Sequence, residues 1–342
     1  MSFDHTRGVR GLACALIGLA SFACSRVPAA SSTADGSDNA SITVQRPALY
    51  PETIVYDAAA AQFLLGSFRE GAIYRVDRAG RATRLVADPR LCSVLGIALD
   101  AARGRLWAVS SDLGASIKPS TAGPKKLAGV GIYDSKTGQA SRYVDLTPLV
   151  EGPHLLNGIA LDAAGTAYVT DSFAPVIYRV EAAGSASVFA RDPRFAGEGI
   201  NLNGVVVHPR GYLLVVKKSD GSLFKVPLNA PAQLSNVDTE ATLIGGDGLT
   251  LLDEKSLVVI ANRTPSAAND SAYWLSSDDD WATAKLRQKQ PLGDVYPTTA
   301  VLRDGALYVV HSKLNELIKA APDQQPTLRE AAIIRPLWRA PR

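Results

Sequence analysis

The sequence predicts an all-β protein, namely a six-bladed β-propeller with four-stranded blades. Six stretches share one pattern, in which a head residue opens an apolar strand that is followed by a turn and a second strand. Several continue into third and fourth strands, as in "PVIYRV" and "SASVFA" after Ser172. The units recur roughly every 40 to 60 residues, which is typical of propeller blades, and none has the period of an amphipathic helix. The head residues are Glu52, Leu95, Asn157, Asn203, Asp247 and Thr298.

Composition limits the class of protein and its partners. The chain has 342 residues, of which 46% are hydrophobic, so it is long and apolar enough for one large globular domain. Its formal net charge is +3, and the basic residues are scattered without a Lys/Arg tract. A nucleic-acid-binding surface needs a concentrated basic patch, so nucleic acid is not expected as a partner. We expect a monomer that acts on a small molecule.

Residues 1–29 have the composition of an export leader. Arg7 and Arg10 precede the apolar stretch "GLACALIGLASFAC", which ends in small residues and is too short to span a bilayer comfortably. Two modes of processing fit this pattern. Either Cys24 is the lipidated first residue of a lipoprotein, or the chain is cleaved near Val27–Ser31. The sequence therefore predicts an exported protein that is periplasmic, anchored to the cell envelope by a lipid at Cys24, or secreted.

Polar and small residues follow the leader. We assign residues 30–46 to a flexible tether and residues 47–342 to the propeller. The strand that closes the propeller comes from Ser41–Gln45 or from Glu330–Leu337. Two longer stretches, Ser111–Gly129 and Arg263–Trp281, interrupt the regular spacing. Long loops in compact domains are often functional, so either stretch is a candidate cover for the functional face.

The head residues predict a metal site. The innermost strands of a propeller run in one direction around the central channel, so their first residues meet at one mouth of it. Four head residues bring two carboxylates and two amide carbonyls there, a set that suits Ca²⁺ or another hard divalent cation and not a softer metal. These four, called the ring residues below, are Glu52, Asn157, Asn203 and Asp247. The competing interpretation is that Asn and Asp merely end loops and that Asn157-Gly158 is a hairpin turn.

Four stretches of the chain carry a family resemblance. They are "PETIVYD" (Pro51–Asp57), "LLNGIALDAAGTAYVTDS" (Leu155–Ser172), "LNGVVV" (Leu202–Val207) and "GGDGLTLLD" (Gly245–Asp253). They resemble the senescence-marker-protein/gluconolactonase (regucalcin-like) family of six-bladed propellers, which is similar in layout to diisopropylfluorophosphatase and the paraoxonases. The resemblance implies that a Glu of blade 1, an Asn each of blades 3 and 4 and an Asp of blade 5 hold a catalytic divalent ion. The ring residues occupy those positions.

One motif departs from that family. Its sugar lactonases usually read Arg-x-Asn-Asp-Gly in blade 3, where the Arg grips the substrate. This chain reads "HLLNG", with Leu155 in place of the Arg and Gly158 in place of the Asp. The departure argues against a gluconate-like substrate. His154 and Leu155 are the candidate substrate contacts at this place, and the competing interpretation of a lone loop histidine is a structural role.

Together these features predict a metal-dependent hydrolase of a lactone or a related ester. The ion would polarise the carbonyl group and stabilise the oxyanion, and by resemblance Asp247 is both a ligand and the general base for water. The alternative is a non-catalytic propeller in which Ca²⁺ braces the channel and the open face binds a ligand or an envelope partner, since a fold alone does not imply catalysis. A strictosidine-synthase-like condensing propeller relies on a pocket Glu instead of a metal ring, and the intact ring argues against it.

Overall fold

Twenty-four β-strands make up about half of the chain that the computed structural model describes, which comprises residues 40–320, 324–325 and 329–339. The first twelve are β1 (Ile42–Thr43), β2 (Pro51–Asp57), β3 (Gln62–Ser67), β4 (Ala72–Val76), β5 (Ala82–Val86), β6 (Ser93–Asp100), β7 (Arg105–Ser111), β8 (Gly129–Asp134), β9 (Ala140–Asp145), β10 (Leu156–Leu161), β11 (Ala167–Asp171) and β12 (Val176–Val180). The others are β13 (Ala186–Arg191), β14 (Leu202–His208), β15 (Tyr212–Lys217), β16 (Leu223–Pro227), β17 (Ser235–Thr239), β18 (Gly246–Asp253), β19 (Ser256–Ala261), β20 (Ser271–Ser276), β21 (Thr283–Pro291), β22 (Pro297–Arg303), β23 (Ala306–His311) and β24 (Ile333–Arg339).

Helical structure is sparse in the same residues. One α-helix, α1, spans Leu314–Lys319. Four 3-10 helices lie at Ala101–Arg103, Thr147–Leu149, Pro193–Phe195 and Pro231–Gln233. Within the described ranges no helix is long and apolar enough to cross a membrane. The predicted leader with Cys24, and residues 30–39 of the predicted tether, lie outside the described residues.

The strands form six four-stranded antiparallel units. Blades 1 to 5 are β2–β5, β6–β9, β10–β13, β14–β17 and β18–β21, and blade 6 contains β22, β23, β24 and β1. The outer strands of blades 4 and 5 also pair in parallel at Asp238–Thr283 and Thr239–Ala284, so these two blades share one hydrogen-bonded sheet. The first strands of the six blades contact one another in a closed ring, in which β22 lies against β2. The all-β propeller fold predicted from the sequence is confirmed.

Burial decreases from the second strand of a blade to its outermost strand. β15 ("YLLVVK") and β23 ("ALYVVH") are buried along their whole length, because neighbouring blades cover both of their faces. Continuous apolar runs of this length are typical of such strands. In contrast, β9 ("ASRYVD") exposes most of its residues. The hydrophobic effect therefore stabilises mainly the packing between blades, close to the second strands.

Both segments considered for closing the propeller take part in it. β24 is the third strand of blade 6, and β1 pairs with it as the outermost strand through Ile42–Ile334 and Thr43–Ile333. Blade 6 is thus built from both ends of the described chain. The boundary at residue 47 is wrong, because residues 42–43 of the predicted tether form β1 of the propeller.

The two long stretches differ in structure. Ser111–Gly129 runs from the last residue of β7 to the first residue of β8. Residues 112–128 between them form an irregular loop, in which the Asp112 carboxylate accepts hydrogen bonds from the backbone N–H groups of Gly114 and Ser120. Arg263–Trp281 is not a single loop, because it contains β20. Its first part, residues 263–270, belongs to the irregular connection between β19 and β20 and lines a cavity of the candidate site described next.

Candidate active site

A β-bulge lies at every head residue. In each blade the register between the first and second strands shifts at this point, for example between Leu156 and Ile159 in blade 3 and between Leu202 and Val205 in blade 4. A bulge leaves its extra residue outside the ladder and re-aims the side chain. The head residues of blades 1 to 5 accordingly line the central channel, a cavity of about 390 Å³.

In blades 2 to 5 a glycine follows the head residue, because the backbone of the next blade approaches it closely. A Cβ atom on Gly158 would lie 2.4 Å from the carbonyl oxygen of Asn203, and one on Gly204 would lie 2.2 Å from the carbonyl oxygen of Asp247. The head residue of each following blade therefore packs directly against this glycine. Asn157-Gly158 lies within β10 and is not a hairpin turn.

The structure brings the four ring residues together at the channel, and all are nearly buried. Their exposed fractions are 6% for Glu52, 5% for Asn157, 3% for Asn203 and 3% for Asp247. Asn157 Nδ2 donates to Ser172 Oγ at 3.2 Å. Among the described residues, Glu52 Oε2 has no hydrogen-bond partner. A buried acceptor left open in this way is available to a ligand or to water.

Sequence reasoning missed the cation of this site, Lys218. It directly follows β15 and is 5% exposed. Its Nζ donates to Asp247 Oδ2 at 2.8 Å and to Asn262 Oδ1, and it lies 5.8 Å from the ring centre of Tyr296. Asn262 Nδ2 donates to the same Asp247 oxygen at 2.5 Å. Within the described chain these bonds leave one N–H of Lys218 and the Oδ1 atom of Asp247 open.

The charges of this cluster shift the pKa values of its members. Burial raises the pKa of Glu52 well above its ordinary value, the Asp247 carboxylate adds to this shift, and the Lys218 ammonium opposes it. Burial would lower the pKa of Lys218, but Asp247, together with Tyr296 and Glu52, outweighs it and raises the pKa above its ordinary value. Lys218 is therefore a fixed positive charge at neutral pH and not a nucleophilic amine.

This donor set does not fit a resident Ca²⁺ ion. Ca²⁺ takes about six to eight oxygen ligands, and Asp247 would have to supply one of them. Its Oδ2 atom already accepts hydrogen bonds from Lys218 and Asn262, so only Oδ1 is open, and an ion bound there would lie close to the Lys218 ammonium. A dication beside the ammonium would be repelled by several kcal/mol even at an effective dielectric constant of about 20.

A second cavity of about 720 Å³ meets this cluster. It is lined by Lys218, Tyr296, and residues 197–200 and 263–266 among others. Lys218 lines this cavity while its partner Asp247 lines the channel, so their ion pair joins the two spaces. A volume of this size is in the usual range for a small-molecule site.

Asp270 fixes one wall of this cavity. Its carboxylate pairs with Arg263 at 3.0 Å and accepts hydrogen bonds from the backbone N–H groups of Val295 and Tyr296. Tyr296 has a φ of 47°, which is uncommon for a bulky residue and persists where the surroundings hold it. The Tyr296 ring is thereby held in place beside Lys218.

The two candidate substrate contacts are placed elsewhere. His154 is fully buried, and its Nδ1 lies 2.8 Å from Oδ2 of the equally buried Asp171. Leu155 is 1% exposed and belongs to the hydrophobic core. Neither residue lines the channel or the second cavity. The geometry therefore favours the structural interpretation of His154.

Comparison with known proteins places the fold. No family model matches the sequence, and no curated protein matches it. Among solved structures, the Malassezia sympodialis allergen Mala s 1 is similar with a TM-score of 0.68 and 18% identity, over 86% of this chain and 95% of that one. Virginiamycin B lyase from Staphylococcus aureus (TM-score 0.54, 10% identity, 87% and 98%) and the PQQ-bound aldose sugar dehydrogenase from Streptomyces coelicolor (0.53, 16%, 87% and 99%) are also similar. At these identities the likeness shows an all-β propeller, a fold that enzymes among these neighbours share, and the gluconolactonase resemblance stays a prediction.

Proposed function

We propose that the protein is a hydrolase of a lactone or a related ester. One observation carries the proposal, namely a buried Lys218–Asp247 ion pair that meets a 720 Å³ cavity and keeps an open donor and an open acceptor. Ester hydrolysis needs these two functions, a positively charged donor at the oxyanion and a base for water. The family resemblance of the surrounding motifs supports the same reaction class.

Each group has a role in the proposed reaction. Asp247 Oδ1 takes a proton from water, and the water oxygen attacks the ester carbonyl carbon. The open N–H of Lys218 donates to the oxyanion of the tetrahedral intermediate, and its charge acts strongly because the site is shielded from bulk water. The intermediate then breaks its C–O bond, and Asp247 returns the proton to the leaving alkoxide oxygen. The products are the acid and the alcohol, which in a lactone are one molecule.

Glu52 supplies the remaining polar contact of the proposed site. Its Oε2 atom is buried and has no partner among the described residues, so it is open to a substrate hydroxyl group or to the attacking water. The predicted export leader would place this activity in the cell envelope or outside the cell. No divalent ion is assigned a step, because the Lys218 ammonium already pairs with the Asp247 carboxylate.

The test is hydrolysis of a panel of lactones and esters by the full chain, with added Ca²⁺ and with chelator. We expect turnover of at least one lactone or ester, and a loss of about 10²- to 10⁴-fold in Asp247→Asn. Asp253→Asn, at the exposed end of the same strand, is the matched control and should keep full activity. Silence across the panel from folded protein would favour the non-catalytic propeller, and full activity of Asp247→Asn would remove its role as base.

A further inference from the structure

Six equivalent positions lie at or directly after the ends of the second strands of the blades. In each blade the residue before the head residue pairs with a residue of the second strand, as Leu156 does with Asp171 and Leu202 with Lys217. In every blade, the residue that follows this partner in the chain occupies the same structural position. These residues are Phe68, Ser111, Ser172, Lys218, Asn262 and Ser312. All six lie in the described chain, and Lys218 is the cation among them.

In blades 3, 4 and 5 the side chains at these positions reach ring residues. Ser172 accepts a hydrogen bond from Asn157 in blade 3, and Asn262 donates to Asp247 in blade 5. Lys218 extends further, because its Nζ leaves its own blade and bonds Asp247 of the next one. The ammonium thus lies beside one ring carboxylate, and its charge also acts on the second, Glu52.

We infer that the Lys218 ammonium takes the place of a divalent cation in this propeller. It neutralises buried carboxylate charge at the ring and presents positive charge to the second cavity, and both are tasks that the resemblance implies for a metal ion. The inference rests on the proposed function for the location of the site, but not on turnover. It follows that the protein needs no divalent ion. It also follows that Lys218→Ser, which copies Ser172 of blade 3, opens a Ca²⁺ site among the ring residues.

Calorimetry and thermal unfolding of the full chain with Ca²⁺, without substrate, test this inference. For the wild type we expect no binding and no change in Tm with Ca²⁺ up to about 1 mM, the weak end of the range of protein calcium sites. For Lys218→Ser we expect a Kd at or below about 1 mM and a Tm that rises by about 3 °C or more near saturation. Because binding is measured directly, an inactive protein would overturn the proposed function and leave this result intact.

Two controls locate the gained affinity. Lys217→Ser changes the adjacent lysine, which bonds Asp220 and the carbonyl oxygens of Arg194 and Ala196, and it should gain no calcium binding. Lys218→Ser combined with Asp247→Asn should lose what the single change gains. Tight Ca²⁺ binding by the wild type would overturn the inference, whatever the variants do. Folded Lys218→Ser without Ca²⁺ affinity would overturn it as well, and Lys218→Asn is measured in parallel so that the decision does not depend on one variant.

Discussion

Blades 3 and 4 carry opposite charges at equivalent positions. The second strand of blade 3 ends at Asp171 and is followed by Ser172, whereas Lys217 and Lys218 occupy these places in blade 4. The buried Asp171 carboxylate accepts hydrogen bonds from three backbone N–H groups, those of Leu155, Phe173 and Ala174. The Lys217 ammonium does the reverse, since it donates to two backbone carbonyl groups and to Asp220.

The comparison shows that the repeat determines the backbone geometry of a blade but not the charge of its side chains. The bulge, the close glycine and the register are the same in the two blades, so the backbone determines where each side chain lies. A side chain of either charge can form hydrogen bonds there, because the loops beside the strand offer both backbone N–H donors and backbone carbonyl acceptors. The chemistry of the channel mouth therefore depends on a few side chains, of which Lys218 contributes the cation.

We expect the largest loss of stability when the Lys218 ammonium of blade 4 is removed. Lys218→Met leaves the buried Asp247 carboxylate without its ion-pair partner, so we expect the free energy of unfolding to fall by about 3–5 kcal/mol. Ser172→Ala at the equivalent position of blade 3 should cost only about 1 kcal/mol. Urea unfolding measures both. Lys255→Met, in an exposed pair with Asp278, is the control and should change stability by less than about 0.5 kcal/mol. A Lys218→Met protein as stable as the wild type would contradict this account.

We expect a smaller loss of stability, of equal size in blades 3 and 4, when the glycine that both blades share is substituted. Gly158→Ala and Gly204→Ala each place a methyl group against the backbone of the following blade, and each should lose about 1–3 kcal/mol of stability. Each variant serves as the control for the other in chemical denaturation. If only one were destabilised, the close approach of the inner strands would not be a common requirement of both blades.

The smallest effect is a pH dependence that is specific to blade 3. The hydrogen bond to Asp171 raises the pKa of His154 above its ordinary value, although burial opposes this. Charged His154 therefore stabilises the fold fully below about pH 6.5, and this contribution is lost as the pH rises through the folded-state pKa. In His154→Gln the contribution is absent. The difference in unfolding free energy between wild type and variant should then shrink by about 1 kcal/mol from low to high pH, and a difference that stays constant with pH would exclude the mechanism.

The sequence predicted the propeller and the gathering of the ring residues because both follow from the repeat. Periodic strands give the blade pattern, and aligning the units by their first strands places Glu52, Asn157, Asn203 and Asp247 at one channel. The same alignment missed Lys218, because that residue lies beyond the second strand. The available signal was "VVKKS", in which two lysines end an apolar run where blade 3 reads "VTDS".

Side-chain direction accounts for the other differences. His154 and Leu155 precede the ring residue of blade 3 in the chain, but their side chains are buried against Asp171 and the core. One sequence does not reveal which way a loop side chain turns. It likewise left the closing strand open, because β1 and β24 each pair with residues far away in the sequence.

Because blade 6 joins both ends of the described chain, we expect it to form later than the other five blades. Blades 1 to 5 are each built from strands that follow one another in the chain, so their pairings are local and fast to form. The pairing of β1 with β24 joins segments from opposite ends of the described chain and carries a much larger loss of chain entropy. We therefore expect this pairing to be a late step of assembly. Since β1 spans two residues at the outer edge of blade 6, we expect it to detach in local fluctuations before the protein unfolds as a whole.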